Sequence, residues 1–322
     1  MKAAIVRAPD AAAEYGDFDE PVASEGSELV DLVAAGIHPL VRSLAAGRHY
    51  GSTGAWPLIP GVDSVARTAD GALVYTGFVK APYGTLAERM AVPATMRLPL
   101  PATADPVRIA GGLNPGLSSW MPLKARAAEI GALGTVVVLG ATGMAGVLAV
   151  QNARMLGAAH VIGAGRNPAG LDRATAAGAT AVALQGNRDA DAASLASALD
   201  GAAPSLVLDF VWAAPAEAMF GALGRRGLGE DSADICYVQI GALAGPAASV
   251  PAALLRSRRI RISGSGAGSA PIAAIMAQLP VYMQLIADGR VEVATRTFPL
   301  SRITDAWTAA ARSGPRVVVV PG

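Results

Sequence analysis

The most informative segment of the chain reads Val136-Val137-Val138-Leu139-Gly140-Ala141-Thr142-Gly143-Met144-Ala145-Gly146. Its β-branched run is typical of a strand buried on both faces, and the small residues after it predict a turn within which a helix begins. Gly140 can adopt backbone angles closed to other residues, Gly143 has no side chain to block an approaching pyrophosphate, and Gly146 lets the new helix pack closely on the strand. The unpaired N–H groups at the start of that helix favour an anion.

This segment therefore predicts the pyrophosphate-binding turn of a dinucleotide site. The spacing G-x-x-G-x-x-G is not the commonest one, but the context of a strand before, a helix after and a second strand about twenty residues later supports the prediction. The alternative is a tight strand–helix turn in a domain that binds no nucleotide. The residues assigned to the turn are Gly140, Ala141, Thr142, Gly143, Met144, Ala145 and Gly146.

The end of the second strand distinguishes between two dinucleotides. It reads Gly163-Ala164-Gly165-Arg166-Asn167, where NAD sites usually carry an acidic residue that binds the ribose diol. No acid is present, and Arg166 is placed for a charge-assisted contact with the 2′-phosphate of NADP. Asn167, beside it, is a further candidate for binding the cofactor. Arg173, on the following helix, could reach the same phosphate; alternatively, both arginines are solvated surface residues. The sequence predicts NADPH as the cofactor.

The elements around this segment predict two domains. Residues 1–115 contain short strand candidates separated by glycine and proline, typical of a compact β-rich domain. Residues 116–266 alternate strands with helices, which indicates a parallel, doubly wound sheet. Residues 267–322 end in a valine run that suits a buried strand, so we expect this segment to return to the first domain.

The individual elements follow from the hydrophobic periodicity. Strands are predicted at 2–6, 28–33, 62–66, 73–77, 86–92, 135–139, 160–163, 182–184, 206–210, 235–240, 259–263, 291–298 and 316–320. Helices are predicted at 120–130, 145–156, 171–177, 272–287 and 303–312.

Composition excludes several classes of protein. Lysine plus arginine number 26 against 25 for aspartate plus glutamate, so no global field draws the chain to nucleic acid or to an anionic membrane. The single cysteine, Cys236, excludes an intrachain disulfide framework and a multi-cysteine zinc site, which fits a cytoplasmic protein. The uncharged stretch 131–153 contains five glycines and a β-branched run, so a strand, a turn and a helix explain it better than a membrane span.

Further motifs complete a resemblance to a known family. They are Ala35-Gly36-Ile37-His38-Pro39, Pro60-Gly61-Val62-Asp63, Gly84-Thr85-Leu86-Ala87-Glu88, Ile240-Gly241-Ala242-Leu243-Ala244-Gly245 and Gly264-Ser265-Gly266-Ala267-Gly268-Ser269. In this order, and together with residues 136–179, they resemble the medium-chain dehydrogenase/reductase superfamily over nearly the whole chain. The resemblance is to its zinc-independent quinone oxidoreductase (zeta-crystallin-like) branch.

The resemblance implies an α/β architecture, with a Rossmann doubly wound parallel sheet inserted in a β-rich GroES-like catalytic domain. The catalytic domain would comprise residues 1–115 and 267–322, and the Rossmann domain residues 116–266. It also implies an active site in the cleft between the domains and a homodimer joined through the Rossmann domain.

The zinc-binding relatives carry three ligands that this chain lacks as a set. Matching the motifs places His38, Val62 and Asn114 at the positions of the cysteine, the histidine and the second cysteine or acid. Valine cannot ligate zinc, and asparagine is a poor ligand for it. The resemblance therefore implies an enzyme without a metal ion.

The expected absence of a catalytic zinc ion restricts the acceptors that the enzyme could reduce. An ordinary ketone loses the polarisation that a metal supplies, whereas a quinone or an α,β-unsaturated carbonyl accepts hydride more readily. The expected function is NADPH-dependent reduction of such an acceptor. Two alternatives remain: a zinc-free carbonyl reductase or alcohol dehydrogenase, in which His38 or Tyr50 acts as the acid, and a non-catalytic NADPH-binding protein.

The resemblance also implies roles for individual side chains. His38 is the leading proton donor because histidine titrates near neutrality; Tyr50 could donate a proton or form an aromatic wall; Asp63 orders the cleft or acts as a base. Structural or surface roles are the alternatives for all three. Further candidates are Asn114 and Trp120 for the substrate, and Ser118, Gly241, Ala242, Gly264, Ser265 and Gly266 for the cofactor.

Overall fold

The computed structural model describes all 322 residues, which form two compact units. One unit comprises Met1–Pro115 and Leu279–Gly322, and the other comprises Gly116–Gln278. The second division falls later than the expected boundary between residues 266 and 267. The physical reason is a hydrogen bond of 3.0 Å from the indole Nε1 of Trp120 to Gln278 Oε1, which ties the segment before Leu279 to the second unit.

The elements are as follows. The strands are β1 (Lys2–Ile5), β2 (Glu14–Asp17), β3 (Ser27–Gly36), β4 (Asp63–Arg67), β5 (Leu73–Gly77), β6 (Arg89–Pro93), β7 (Leu98–Pro99), β8 (Thr135–Leu139), β9 (His160–Gly165), β10 (Thr180–Ala183), β11 (Leu206–Asp209), β12 (Ile235–Gln239), β13 (Ile260–Gly264), β14 (Thr295–Pro299) and β15 (Arg316–Val320). The α-helices are α1 (Pro39–Ala45), α2 (Pro106–Ile130), α3 (Met144–Met155), α4 (Pro168–Ala176), α5 (Arg188–Leu199), α6 (Ala213–Ala222), α7 (Ala252–Ser257), α8 (Ile272–Ala287) and α9 (Ile303–Ala309).

The second unit is built on a six-stranded parallel sheet in the order β10-β9-β8-β11-β12-β13. Side chains alternate between two apolar clusters, with Val137 and Val207 facing one and Val136 and Leu206 facing the other. Both faces are therefore covered, as a parallel sheet requires. The strand order reverses between β8 and β11, and ligands of doubly wound sheets bind at the carboxyl ends of the strands at that point. This confirms the predicted α/β Rossmann architecture.

The first unit contains a seven-stranded, mostly antiparallel sheet and the β1–β2 hairpin. Strand β15 runs antiparallel to β3, pairing Val318 with Gly36 and Val319 with Ala35, so the C-terminal valine run returns to this unit as predicted. On the other side of β3, β4 pairs with β5, and Asp63 lies opposite Gly77. This arrangement brings the end of β3, the start of β4 and the end of β5 to the same edge of the sheet.

Several predicted boundaries were wrong. The helix expected at 120–130 begins at Pro106, because its early glycines allow close packing rather than ending it: a Cβ at Gly112 would lie 2.4 Å from Val293 Cγ2. The strand expected at 291–298 begins at Thr295. Strand β2 and helix α1 were not predicted; β2 has little buried surface to reveal it, and α1 is only seven residues long.

No helix combines the length and apolar character needed to span a bilayer. The uncharged stretch 131–153 is divided between β8 and α3, as the sequence indicated.

Candidate functional site

The turn between β8 and α3 has the geometry of an anion cradle. Gly140 has a φ of +87°, which a side chain would strain. The N–H groups of Gly140 and Ala141 donate to the Ala164 carbonyl at 2.9 and 3.0 Å, which ties the turn to β9. Helix α3 then starts at Met144 with Gly143 as its N-cap and no side-chain cap. The first N–H groups of a helix have no partner within it, so this end of α3 can receive a phosphate.

The glycines of the turn divide into two kinds. A Cβ at Gly146 would lie 2.3 Å from the Gly140 carbonyl oxygen, so the chain itself requires glycine there. A Cβ at Gly143 would come no closer than 3.8 Å to any other part of the protein. The protein does not need glycine at Gly143, whereas a pyrophosphate approaching the backbone would. The residues present fit a dinucleotide.

Thr142 links this turn to the end of β9. A Cβ at Gly165 would lie 2.4 Å from Thr142 Cγ2, and a Cβ at Gly170 would lie 2.5 Å from Thr142 Cβ, so both glycines make room for the threonine. The guanidinium of Arg173 donates to the Thr142 carbonyl at 3.2 Å. This hydrogen bond ties α4 to the turn. Sequence reasoning missed the roles of the two glycines, although the sequence shows them flanking Arg166.

The residues after β9 leave one cation exposed. The Asn167 side chain accepts a hydrogen bond of 2.8 Å from the Gly170 N–H and so caps α4. Asn167 has a structural task, as capping asparagines do. Arg166 is exposed at the end of β9, beside the cradle.

The carboxyl end of β11 carries a buried carboxylate that sequence reasoning also missed. Asp209 Oδ1 accepts from the N–H groups of Val211 and Trp212, each at 2.8 Å, and Oδ2 accepts from the Tyr237 hydroxyl at 2.6 Å. Burial raises the pKa of Asp209, while these hydrogen bonds oppose the shift. Trp212 and Ala213 follow with φ values of 60° and 49°, a strained conformation for residues with a Cβ. An aspartate ending an otherwise apolar strand was the available signal.

The predicted nicotinamide residues lie at the neighbouring strand ends. A Cβ at Gly241 would lie 2.6 Å from the Phe210 carbonyl oxygen, so the β12 loop passes closely over the end of β11. Ser265 donates its backbone N–H to the Gln239 carbonyl at 2.8 Å. A cavity of about 370 Å³ opens beside them, lined by Trp212, Gln239, Pro246, Ile262, Ser263 and Gly264. The structure thus places Gly241, Ala242, Gly264, Ser265 and Gly266 at the β12 and β13 ends.

The first unit contains a separate buried polar group, the Asp63 cluster, made of His38, Asp63, Tyr75 and Arg316. All four residues are at most 8% exposed. Asp63 Oδ2 accepts a hydrogen bond of 2.7 Å from the Tyr75 hydroxyl, and Oδ1 lies 3.3 Å from His38 Nε2. Arg316 Nη1 donates to the Ile37 carbonyl at 3.1 Å. The sequence predicted His38 and Asp63 but missed Tyr75 and Arg316.

Burial shapes the electrostatics of this cluster. It raises the pKa of the Tyr75 phenol well above its usual range, and the nearby Asp63 charge adds to the effect. It lowers the pKa of Arg316 to about 10, while attraction to Asp63 opposes the shift. Tyr75 is therefore a neutral donor and Arg316 a cation at neutral pH.

The remaining predicted residues lie in different settings. Tyr50 is 80% exposed in a loop, and its ring centroid lies 4.0 Å from that of His49. Asn114 and Ser118 are half-buried, one turn apart on α2, and so share a helix face. Trp120 is buried on the same helix, with its indole N–H bonded to Gln278. No cluster of three or more His, Cys, Asp and Glu side chains could hold a metal ion.

Known proteins with similar sequence or fold were compared with this chain. No family model matches the sequence. A protein of Emericella nidulans named as a probable NADPH-dependent quinone reductase is 33% identical over 229 residues, which are 68% of this chain and 63% of that protein. The quinone oxidoreductase of Thermus thermophilus, whose structures include a complex with NADPH, is 28% identical with a TM-score of 0.80, and the match covers 99% of this chain and 100% of that one.

A third comparison concerns the fold alone. An alcohol dehydrogenase superfamily protein of Novosphingobium aromaticivorans is 22% identical with a TM-score of 0.80, and the match covers 100% of both chains.

The doubly wound sheet with its glycine cradle, in a chain that also forms a β-rich unit, defines a two-unit protein of the dinucleotide-binding class. In sequence and fold the chain is similar to the probable NADPH-dependent quinone reductase of Emericella nidulans, of whose length it matches 63%, and to the quinone oxidoreductase of Thermus thermophilus.

Proposed function

We propose that the protein is an NADPH-dependent, zinc-independent oxidoreductase that transfers hydride to a quinone or an α,β-unsaturated carbonyl compound. The observation that carries this proposal is the cradle before α3 with the exposed Arg166 at the end of the neighbouring β9 and no acid beside it. The names of the Emericella and Thermus proteins support the same activity.

The second unit would hold the cofactor. The turn from Gly140 to Gly146 receives the pyrophosphate on backbone N–H groups, and Arg166 pairs with the 2′-phosphate. The backbone at Gly241 and at 264–266 takes the nicotinamide end, because Gly241, Gly264 and Gly266 have no side chain to keep a ligand from the main chain. Bound NADPH supplies the hydride; the protein supplies binding, orientation and electrostatics.

The first unit would supply the polar groups for the acceptor. His38 is the candidate proton donor for the oxygen that becomes negative when the acceptor is reduced, and Asp63 orients it. Tyr50 offers an exposed aromatic ring, and Asn114 on α2 is a candidate substrate residue. Trp120, further along α2 and part of the second unit, is another. Because Val62 and Asn114 stand where zinc relatives have ligands, an acceptor that is intrinsically reactive toward hydride suits this site.

We further propose that the protein is a cytoplasmic homodimer joined through the Rossmann domain. Strand β13 is the edge of the parallel sheet and pairs only with β12. An unpaired edge is a template for a second strand, and Leu255, 52% exposed, lies just before it. Sedimentation equilibrium tests the dimer: a single species with the mass of one chain at micromolar concentrations would exclude it. The single cysteine suits a reducing compartment.

The test of the activity is NADPH oxidation by purified, chelator-treated protein against quinones, enones and simple ketones, with NADH in parallel. Turnover of quinones or enones with a preference for NADPH is expected. Turnover of ketones alone would establish a carbonyl reductase instead. No turnover, with NADPH bound at micromolar affinity, would establish a non-catalytic binding protein for the acceptor classes tested.

A further inference from the structure

Besides the proposed proton donor His38, the Asp63 cluster buries two charged groups, the carboxylate of Asp63 and the guanidinium of Arg316. A carboxylate taken out of water is costly unless it is paired and hydrogen-bonded. Tyr75 satisfies Oδ2, and the charge of Arg316 attracts Asp63 across the buried interior. Asp63 Oδ1 is left without a hydrogen-bond partner, and it is the oxygen nearest His38. Oδ2 of Asp63 thus accepts a hydrogen bond, whereas Oδ1 accepts none and lies beside the imidazole of His38.

The position of the imidazole is fixed by the backbone around it. A Cβ at Gly36 would lie 2.8 Å from His38 Nε2, so only glycine lets the ring lie against the end of β3. Arg316 Nη1 holds the carbonyl of Ile37, the residue immediately before His38. Arg316 therefore acts on His38 twice, through the backbone and through the charge of Asp63.

Three strands supply the charged and titratable groups of the cluster around His38. Asp63 from β4 places Oδ1 3.3 Å from Nε2, Tyr75 from β5 is bonded to Asp63, and Arg316 from β15 binds the Ile37 carbonyl. With Arg316 as a cation and Asp63 as an anion, the cluster is neutral when His38 is neutral. Without Arg316, the buried Asp63 would lack a counter-charge, and the nearest group able to supply one by taking up a proton is His38.

We infer that Arg316 and Tyr75 are positioning residues that tune His38 through Asp63: Arg316 offsets the carboxylate charge so that the imidazole can release its proton, and Tyr75 orients the carboxylate so that Oδ1 faces Nε2. This inference rests on the proposed function for its role in the reaction. There, the acceptor oxygen that becomes negative on reduction would take a proton from the His38 imidazolium: an N–H bond of the ring breaks, an O–H bond forms on the acceptor, and the ring is left neutral beside Asp63.

The sequence makes a direct test practical, because it contains only three histidines. Long-range proton–nitrogen NMR of the full chain, labelled with ¹⁵N-histidine, reports the tautomer and the titration midpoint of each ring, and His38→Gln identifies the signal of His38. This readout needs neither cofactor nor turnover.

Opposite shifts are expected from the two charges. Arg316→Gln keeps a donor for the Ile37 carbonyl but removes the charge, and it should raise the His38 midpoint by about one pH unit or more. Asp63→Asn should lower the midpoint by a similar amount. Arg316→Lys, which keeps the charge, should restore the midpoint to within about 0.3 units of wild type. Tyr75→Phe should reduce the fraction of the Nε2–H tautomer.

A purely structural role for Arg316 would lower the stability of Arg316→Gln without moving the His38 midpoint, and that result would overturn the inference. Midpoint shifts of the same sign in Arg316→Gln and Asp63→Asn would also overturn it.

A double variant covers the case in which Arg316→Gln alone does not fold. Asp63→Asn/Arg316→Gln removes both charges and should fold, with the His38 midpoint of Asp63→Asn. A different midpoint overturns the inference. The acidic limb of the kcat profile for a quinone should follow the midpoints. If the midpoints shift but the protein turns over no acceptor, the charge coupling is supported and the proposed function is wrong. If the protein turns over quinones but the midpoints do not move, the proposed function is supported and the charge coupling is wrong.

Discussion

The hydroxyl of Tyr237 donates a hydrogen bond of 2.6 Å to Oδ2 of Asp209 at the carboxyl end of β11. The other oxygen of Asp209 binds the N–H groups of Val211 and Trp212, so the carboxylate organises the turn into α6. The first unit repeats the motif, with Tyr75 bonded to Asp63 at the start of β4. In both units a tyrosine hydroxyl from the adjacent strand is bonded to a buried aspartate at the end or the start of its strand.

Asp209 should be worth more to stability than Tyr237. Asp209→Ala leaves two backbone N–H groups unpaired and removes what holds Trp212 in its strained conformation, so the free energy of unfolding should fall by about 2–4 kcal/mol. Tyr237→Phe removes one donor and leaves Asp209 two others, which should cost about 1 kcal/mol. Urea unfolding followed by circular dichroism measures both. Equal losses would mean that the carboxylate does not support the turn.

The pH dependence of stability should carry the signature of Asp209. Its pKa is raised by burial above the value of 3.8 expected in the unfolded chain. A group of this kind contributes stability that is present below the unfolded value and is lost as the pH rises through the folded value. The unfolding free energy of wild type relative to Asp209→Asn should therefore decrease as the pH rises from about 4 toward 7. Asp200→Asn, at an exposed position of the same unit, is the control, and an equal trend in both variants would contradict the assignment.

Two glycine substitutions should separate packing from cofactor binding. Gly146→Ala places a Cβ 2.3 Å from the Gly140 carbonyl oxygen, so it should lower stability by about 1–3 kcal/mol and weaken NADPH binding as well. Gly143→Ala meets no atom of the protein closer than 3.8 Å and should leave the melting temperature unchanged while weakening NADPH binding at least about tenfold. Differential scanning fluorimetry and fluorescence titration with NADPH measure the two effects. Unchanged NADPH affinity in Gly143→Ala would place the pyrophosphate elsewhere.

The sequence predicted the parallel sheet well because its central strands β8, β11 and β12 are short, mostly apolar runs. The strand 135–139 and the helix after it follow directly from the run of valines and the three glycines. The start of α2 was missed because Gly111 and Gly112, which are ordinarily helix breakers, are used there for close packing against Val293 and Thr295. Such a requirement arises from residues far away in the chain, so local patterns cannot show it.

The same distinction applies to the candidate site. The cradle is local in sequence, and its glycines could be assigned one by one. The Asp63 cluster joins residues from β4, β5, β15 and the end of β3, and only the strand pairing brings Arg316 beside Ile37. Arginine at the head of a valine strand was a hint, because buried arginine is rare without a partner, but its partner could not be named before the topology was known.

Zinc removal should leave the activity unchanged. Val62 cannot bind a metal, and His38 and Asp63 form a pair without a third ligand. Purified protein should contain zinc well below one ion per chain by plasma emission spectroscopy. Dialysis against a strong chelator should change the rate of quinone reduction by less than about twofold, because the proposed reduction needs no Lewis acid. A loss that added zinc restores would contradict the metal-free proposal.

Cofactor preference should depend on Arg166. This side chain is exposed at the end of β9, where an acidic residue would instead select the free ribose diol. Arg166→Gln removes the charge-assisted contact with the 2′-phosphate, so the Kd for NADPH should rise by about 10- to 100-fold while the Kd for NADH stays within about twofold. The matched control is Arg188→Gln, because Arg188 is also exposed in this unit but already pairs with Asp189 at 3.2 Å. Isothermal titration with both dinucleotides measures the ratio. If the affinities for NADPH and NADH fall by the same factor, Arg166 binds a part that both cofactors share. If neither affinity changes, another residue binds the 2′-phosphate, and Arg173 is the next to test.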